Sequence, residues 1–285
     1  MARSFAHGDF SHTQKRHTGR QDGRGGGRTE RDRARRELSQ NFLIDRDVVA
    51  RIVETAGPRP GDLVLEPGAG EGVLTRALAA RAGKVVAYEI DVLLAGRLAA
   101  RTRDDARIEV VRGDFLAARA PREPFAVVGN IPYAATSRIV DWCLRAPALT
   151  GATLLTQLEY ARKRTGDFGR WSLLTVRTWP WFSWSLAGRV GREAFRPVPA
   201  VDSAVLRLDR RPAPLLPPEA AAGYDALVDL GFQGVGGTLR ASLLTRHTPG
   251  HVDAALAQAG IPPATVVAHV HPDRWTTLWQ VLQDR

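Results

Sequence analysis

The run "DLVLEPGAGEGVLTRAL", Asp62 to Leu78, constrains this chain more than any other stretch. A short apolar strand stops at Pro67, glycines follow at 68, 70 and 72, and a helical pattern begins at about Glu71. A glycine-rich strand-to-helix turn lets backbone approach a ligand at the carboxyl edge of a sheet. The spacing is G-x-G-x-G and not the dinucleotide G-x-G-x-x-G, and the loop carries Glu66 and Glu71 but no basic residue. A pyrophosphate would be poorly served there, which argues against a nicotinamide dehydrogenase. Glycines serving a tight turn and nothing more are the bland alternative.

The surrounding pattern repeats the same unit. "DVVARIVETAG" places Val48, Val49, Ile52 and Val53 on one helical face and stops at Gly57-Pro58. Strands are expected at 62–66, 84–89, 107–111, 125–129 and 152–157, alternating with helices from Glu71, Asp91 and Thr136. Alternation of this kind implies an α/β fold, a Rossmann-like parallel sheet covered on both faces. "FSWSLAGRV" and "SAVLRLDRR" read as an antiparallel closing pair, and the proline-rich "RRPAPLLPPEA" (210–220) as a linker to a small helical domain. The expected division is therefore 1–36, a basic arm; 37–211, the α/β domain; and 212–285, the helical domain.

With 285 residues and 44% hydrophobic composition the chain can bury a sizeable core. Its formal net charge of +10 favours a polyanionic partner. Residues 1–36 hold ten Lys/Arg, four acidic residues and six glycines, hence +6 of that total, with too few large apolar side chains to fold. This arm either grips nucleic-acid backbone or is a solvated tail. One cysteine excludes an intrachain disulfide, and there is neither a secretory h-region nor an 18-residue apolar run. A soluble, cytoplasmic monomer is expected, with no membrane partner.

Three strand ends carry the candidate chemistry. Glu89, about twenty residues past the glycine turn, can accept hydrogen bonds from a ribose diol, and Asp114 in "VVRGDF" can accept from an adenine amino group. A strand-end acid is more often a helix N-cap; that reading is preferred for Asp91, and ligation for Glu89 and Asp114. The third strand end, "GNIPY", delivers Asn130, Ile131, Pro132 and Tyr133 together. An adenine amine is a poor nucleophile because its lone pair is delocalised into the ring. The Asn130 side-chain oxygen and the Ile131 carbonyl, held against its N–H groups, would aim that lone pair at an electrophilic methyl. Pro132 stiffens the loop and Tyr133 offers a face on which an extruded base can stack.

In order, "LSQNFLID", "EPGAGEG", "YEID", "GDF", "GNIPY" and "FRPVPAVDSAVLRL" resemble the rRNA adenine N6-methyltransferases over about 170 residues. Within them "QNFL" (40–43) is similar to the erythromycin-resistance (Erm) branch, whereas the small-subunit dimethyltransferase (KsgA-like) branch usually has histidine where Asn41 stands. The resemblance implies a class I fold using S-adenosylmethionine to methylate one 23S rRNA adenine at N6, conferring macrolide-lincosamide-streptogramin B resistance. It implies that Asn41 and Leu43 contact the methionine end of the cofactor, that Gly68 and Gly70 line it, and that Glu89, Ile90 and Asp114 hold its nucleoside. It further implies that Asn130 touches both cofactor and target amine, and that Phe195 and Tyr133 sandwich the flipped base. The alternatives are a KsgA-like small-subunit enzyme and a non-catalytic nucleic-acid-binding protein on the same fold; an intact amine-positioning loop argues against the second.

Other residues take bland readings. Cys143 lies on an apolar helical face, His269 and His271 have no cysteine partner and no metal is expected, and Trp171, Trp179, Trp181 and Trp184 suit core packing as well as stacking. "ARKR" (161–164) is a candidate RNA-facing patch. If the arm grips phosphate, deleting residues 1–36 will lower rRNA affinity and flatten its salt dependence while cofactor binding persists. Equal salt slopes for the full-length and truncated chains would assign the arm to inert solvated chain.

Overall fold

The computed structural model describes residues 41–283, so the basic arm lies outside the described residues. The first elements are β1 (Phe42–Leu43) and α1 (Arg46–Ala56). Asp45 starts α1 by accepting the N–H groups of Asp47 and Val48, and the helix buries Val48, Val49, Ile52 and Val53 as their spacing requires.

Seven strands form the central sheet: β2 (Leu63–Pro67), β3 (Lys84–Glu89), β4 (Ile108–Arg112), β5 (Phe125–Asn130), β6 (Leu149–Gln157), β7 (Phe182–Val190) and β9 (Ser203–Arg210). Their order is β4-β3-β2-β5-β6-β9-β7. The first five are mutually parallel. β9 runs antiparallel to both β6 and β7, the closing pair that the two late apolar runs predict. The chain steps outward from β2 to β4 and then returns to β5 on the other side of β2. The carboxyl ends of β2, β3 and β5 therefore flank a topological switch point, where open α/β sheets bind ligands.

The apolar runs of these strands are continuous because both faces are covered. Val64, Val128, Leu155 and Val205 pack on one side with Ile52 of α1 and with Leu74 and Leu78 of α2 (Val73–Ala79). Leu65, Val127, Leu154 and Leu206 pack on the other with Ile139, Val140 and Cys143 of α4 (Thr136–Arg145). The α3 helix (Val92–Thr102) starts on Asp91, whose carboxylate accepts from Leu93 and Leu94, as the capping reading expects. Cys143 is fully buried, and burial pushes its thiol up to about 12, which suits a core residue and not a nucleophile.

Two helices, α5 (Leu158–Thr165) and α6 (Leu173–Thr178), connect β6 to β7. Trp184 belongs to the sheet core, and Trp171, Trp179 and Trp181 pack around the cores partly buried. A two-residue strand, β8 (Phe195–Arg196), pairs antiparallel with β1. After the proline-rich segment come α7 (Ala221–Phe232), α8 (Leu239–Leu243), α9 (Pro249–Gln258) and α10 (Pro272–Gln283). They bury Tyr224, Val228, Leu256, Trp275 and Leu278 in a core that also takes in Val176 of α6. The Tyr224 hydroxyl donates to the Val176 carbonyl at 2.9 Å, so the helical segment is fastened to α6 by a polar contact as well. Among the described residues no helix is long and apolar enough to cross a membrane.

Gly72, the residue before α2, has φ of 76°, and a Cβ there would lie 2.2 Å from Leu98 Cδ1. Leu98 is itself buried and has little room to swing away. Gly72→Ala should therefore cost about 2 to 4 kcal/mol, from left-handed strain together with overpacking, read as a lowered urea midpoint.

Candidate active site

The glycine turn is strapped to the strand beside it. The amides of Gly68 and Ala69 donate to the Tyr88 carbonyl at 2.9 and 3.0 Å. Glu89 completes the strap: one carboxylate oxygen accepts from the Gly70 amide at 2.7 Å and the other from the Asp91 amide at 2.8 Å. Its side chain is buried, and desolvation pushes its carboxyl upward even though these two N–H groups oppose the shift. Each oxygen keeps a second acceptor direction, so the carboxylate can hold the loop and still receive ligand hydroxyls.

Asn130 is oriented by the segment that precedes α1. Its Nδ2 donates to the Asn41 backbone carbonyl at 2.8 Å, which leaves the amide oxygen as the atom able to accept. Pro132 carries the chain into a short 3-10 turn at Tyr133–Ala135. The Tyr133 hydroxyl lies 2.6 Å from the hydroxyl of Ser203, the buried first residue of β9. The phenol is half-buried, and its ring is thus fixed at both ends.

A recess of about 70 Å³ brings together Asn41, Gly68, Gly70, Glu89 and Ile90 with Asn130, Ile131, Pro132 and Tyr133. It has the volume of about two waters. Beside it a cleft of about 680 Å³ shares Phe42, Gly68, Gly70 and Asn130 with the recess and extends past Leu43 to Glu66, Glu71, Arg46 and Arg76. The Phe42 ring stands between the two, so close to Gly70 that a Cβ there would come within 3.2 Å of it. Recess and cleft together, and not the recess alone, have room for a nucleoside with a charged tail.

Two expected site residues fall elsewhere. Phe195 offers no stacking face: its side chain is fully buried in the core with Ile52 and Val205, because β8 pairs with β1 and puts Phe195 opposite Leu43. Asp114 lies on the exposed edge, where its Oδ1 caps the 3-10 turn Phe115–Ala117 by accepting from Leu116 at 2.9 Å. The capping role set aside for Asp114 in favour of ligation is thus present, and Asp114 does not line the recess.

Three residues that sequence reasoning did not assign stand in or beside the site: Phe42, Ser203 and Glu66. For the first two, neighbours in "QNFL" and "VDSAV" were the available signal. Glu66, the last residue but one of β2, is fully buried and lines the cleft with its Oε2 lacking a hydrogen-bond partner among the described residues. Burial pushes its carboxyl up to about 8, and the nearby Glu89 carboxylate adds to the rise. Thr75 opposes the rise by more than Glu89 adds to it, and Arg76 opposes it least; among the described residues the Thr75 hydroxyl has no partner in hydrogen-bond geometry. A buried, unsatisfied carboxyl at the wall of a cleft is a receptor for a cationic group.

Against this geometry the sequence pattern of the ribosomal RNA adenine dimethylase family matches residues 31–284. The chain belongs to that family. It is 56% identical over 253 residues, 88% of this chain and 79% of its relative, to an rRNA adenine N-6-methyltransferase from Streptomyces fradiae. It is 38% identical over 250 residues, 88% of this chain and 79% of its relative, to the mycinamicin-resistance protein MyrB of Micromonospora griseorubida. The crystal structure of the 23S rRNA methyltransferase ErmE superposes with a TM-score of 0.83 at 54% identity, covering 86% of this chain and all of that one. Membership makes this chain an S-adenosylmethionine-dependent rRNA adenine methyltransferase, with the class I α/β fold that its sheet order displays.

Glu66 gives a pH-dependent expectation. From its ordinary value of 4.5 up to about 8 the folded chain keeps the Glu66 proton and the unfolded chain loses it. Its contribution to stability is therefore whole at acid pH and falls as pH rises through that window, by at most about 1.4 kcal/mol per pH unit. Glu66→Gln, which mimics the protonated form, should remove this slope, so the stability difference between variant and parent should widen in the variant's favour from pH 5 to 8 in urea melts. Parallel pH profiles would place the proton elsewhere.

Proposed function

We propose that this enzyme transfers one or two methyl groups from S-adenosylmethionine to the N6 amine of one adenine in 23S rRNA, and thereby confers resistance to macrolide, lincosamide and streptogramin B antibiotics. The names of its relatives support the target and the resistance. The observation that carries the chemistry is the Asn130 amide, whose nitrogen is committed to the Asn41 carbonyl and whose oxygen is left as an acceptor beside Tyr133.

The donor supplies an electrophilic methyl on a sulfonium. Glu89 and Ile90 receive its ribose and adenine, Gly68 and Gly70 admit it against backbone, and Asn41 and Leu43 meet its methionine end. The unsatisfied Glu66 carboxyl suits the ammonium of that end and would give up its proton as the cation arrives. Asp114 has one carboxylate oxygen outside its capping bond, which we assign to the adenine amine of the donor.

On the substrate side, Tyr133 stacks on the extruded adenine, held by Ser203. The Asn130 oxygen and the Ile131 carbonyl accept from the two N6 hydrogens, which turns the nitrogen lone pair out of conjugation and toward the methyl. As the N–C bond forms and the methyl–sulfur bond breaks, releasing the neutral thioether S-adenosylhomocysteine, positive charge passes from sulfur to nitrogen and both acceptor contacts strengthen, the differential binding that lowers the barrier. The product ammonium is acidic enough to lose its proton to water without a dedicated base. The arm and the helical segment 212–285 are the parts we assign to wider RNA contacts.

The test is methyl transfer from tritiated S-adenosylmethionine to 23S and 16S rRNA fragments, with an adenine-to-guanine change at the target as control. The 23S fragment should accept label and the guanine variant should not. Asn130→Ala should lower turnover about a hundredfold or more at saturating RNA. Labelling confined to 16S rRNA would transfer the enzyme to the small-subunit branch, and wild-type turnover by Asn130→Ala would end the amine-positioning mechanism.

A further inference from the structure

The turn between α5 and α6 presents a feature that neither the fold nor the methyl-transfer site uses. Phe168 stands there with 76% of its surface exposed. Among the described residues it is the one non-glycine with positive φ, at 60°. Left-handed backbone at a large aromatic is unfavourable, and such conformations persist where neighbouring contacts enforce them. Here the neighbours are specific. Asp167 accepts the Phe168 amide at 3.1 Å and pairs with the Arg162 guanidinium at 2.7 Å, while Arg162 lies over the Phe168 ring, 5.2 Å from its centroid. One face of the ring is backed by a cation and the other is open to solvent.

Among the carboxylates and cations around the turn, two cations stand without a partner among the described residues. Lys163 and Arg170, on either side of the turn, are exposed and form no ion pair among the described residues. Arg162 lines, with Glu159, Arg189, Arg192 and Asp202, a groove of about 520 Å³. Asp202 is followed by Ser203, the residue that holds the Tyr133 hydroxyl. The lining of this groove thus includes the cation that backs Phe168 and the chain neighbour of the residue that holds Tyr133. A braced aromatic with free cations beside it is the composition of a single-strand stacking platform, in which the ring takes a base and the cations take phosphate.

We propose that Phe168 stacks on a second, unpaired nucleobase of the substrate RNA, one flanking the target adenine, with Lys163 and Arg170 against the adjoining phosphates. This rests on the reading of the chain as an rRNA adenine methyltransferase and adds a substrate contact outside the methyl-transfer site. The platform would fix the register of the single strand, so that one adenine among its neighbours reaches Tyr133.

The experiment is a binding cycle between protein and RNA, read by fluorescence anisotropy of a labelled 23S fragment. Phe168→Ala should weaken binding roughly 5- to 150-fold, the range for loss of one stacked base, without flattening the salt dependence. Phe168→Trp should restore most of the affinity. Lys163→Gln and Arg170→Gln should each lower the salt slope by about 0.7. Abasic sites placed singly around the target should include one at which Phe168→Ala costs nothing further. Unchanged affinity in Phe168→Ala, or an equal loss on every abasic RNA, overturns the proposal. Because the readout is binding, it separates from the methylation assay: a chain that binds through Phe168 yet labels no 23S rRNA would sink the proposed activity and leave the platform standing. Thermal melts of the variants, expected to match the parent at so exposed a position, exclude misfolding as the cause.

Discussion

A buried carboxylate organises the catalytic edge. Glu89 closes β3 with both oxygens engaged by backbone amides, one in the glycine turn after β2 and one at the start of α3. Two neighbouring strand ends and the helix that follows are thereby held at one point, without a metal or disulfide. Burying such a group is unfavourable unless its hydrogen-bonding capacity is met, and here the backbone meets it. The same engagement fixes where a ligand's hydroxyls must arrive. Glu66, one strand away, is the converse case: its Oε2 lacks a partner among the described residues, and the cleft beside it is where a partner of opposite charge can enter.

Most of this architecture was legible in the sequence because it obeys a strong local rule. Strands covered on both faces read as unbroken apolar runs, and each run from β2 to β6 fell at its place, as did the antiparallel pair of β7 and β9. The catalytic edge was legible for a related reason: glycines, acids and an Asn-Ile-Pro-Tyr sequence cannot serve strand interiors, so they marked where strands end. What the sequence concealed lies in contacts too short or too distant to leave a period. The pairing of β1 with β8 spans two residues on each side, far below what alternation can signal, and it turns Phe195 inward. An aromatic before a proline-rich turn looks available to a ligand until its partner strand is known. Asp91 and Asp114 show a second limit, since both cap the element that follows and sequence alone assigned them different duties.

The same short pairing explains why the site has two compartments. Bringing Phe42 and Leu43 against the strand at Phe195 lays the chain across the mouth of the glycine turn, and the Phe42 ring becomes the partition between recess and cleft. The Phe42 side chain therefore lines the candidate site as much as the strand ends do, although a phenylalanine opening the short apolar run Phe42-Leu43-Ile44 carries no chemical signal of its own.

The bond between Asn130 and position 41 has an evolutionary consequence. The Asn130 amide, to which we assign the catalytic role, is oriented by a main-chain oxygen, a group that every amino acid possesses, and not by the Asn41 side chain. Orientation of the reactive carboxamide is thus insulated from mutation at position 41. The side chain at position 41 is free to change, and to take on duties of its own toward a ligand, while the Asn130 amide keeps its orientation.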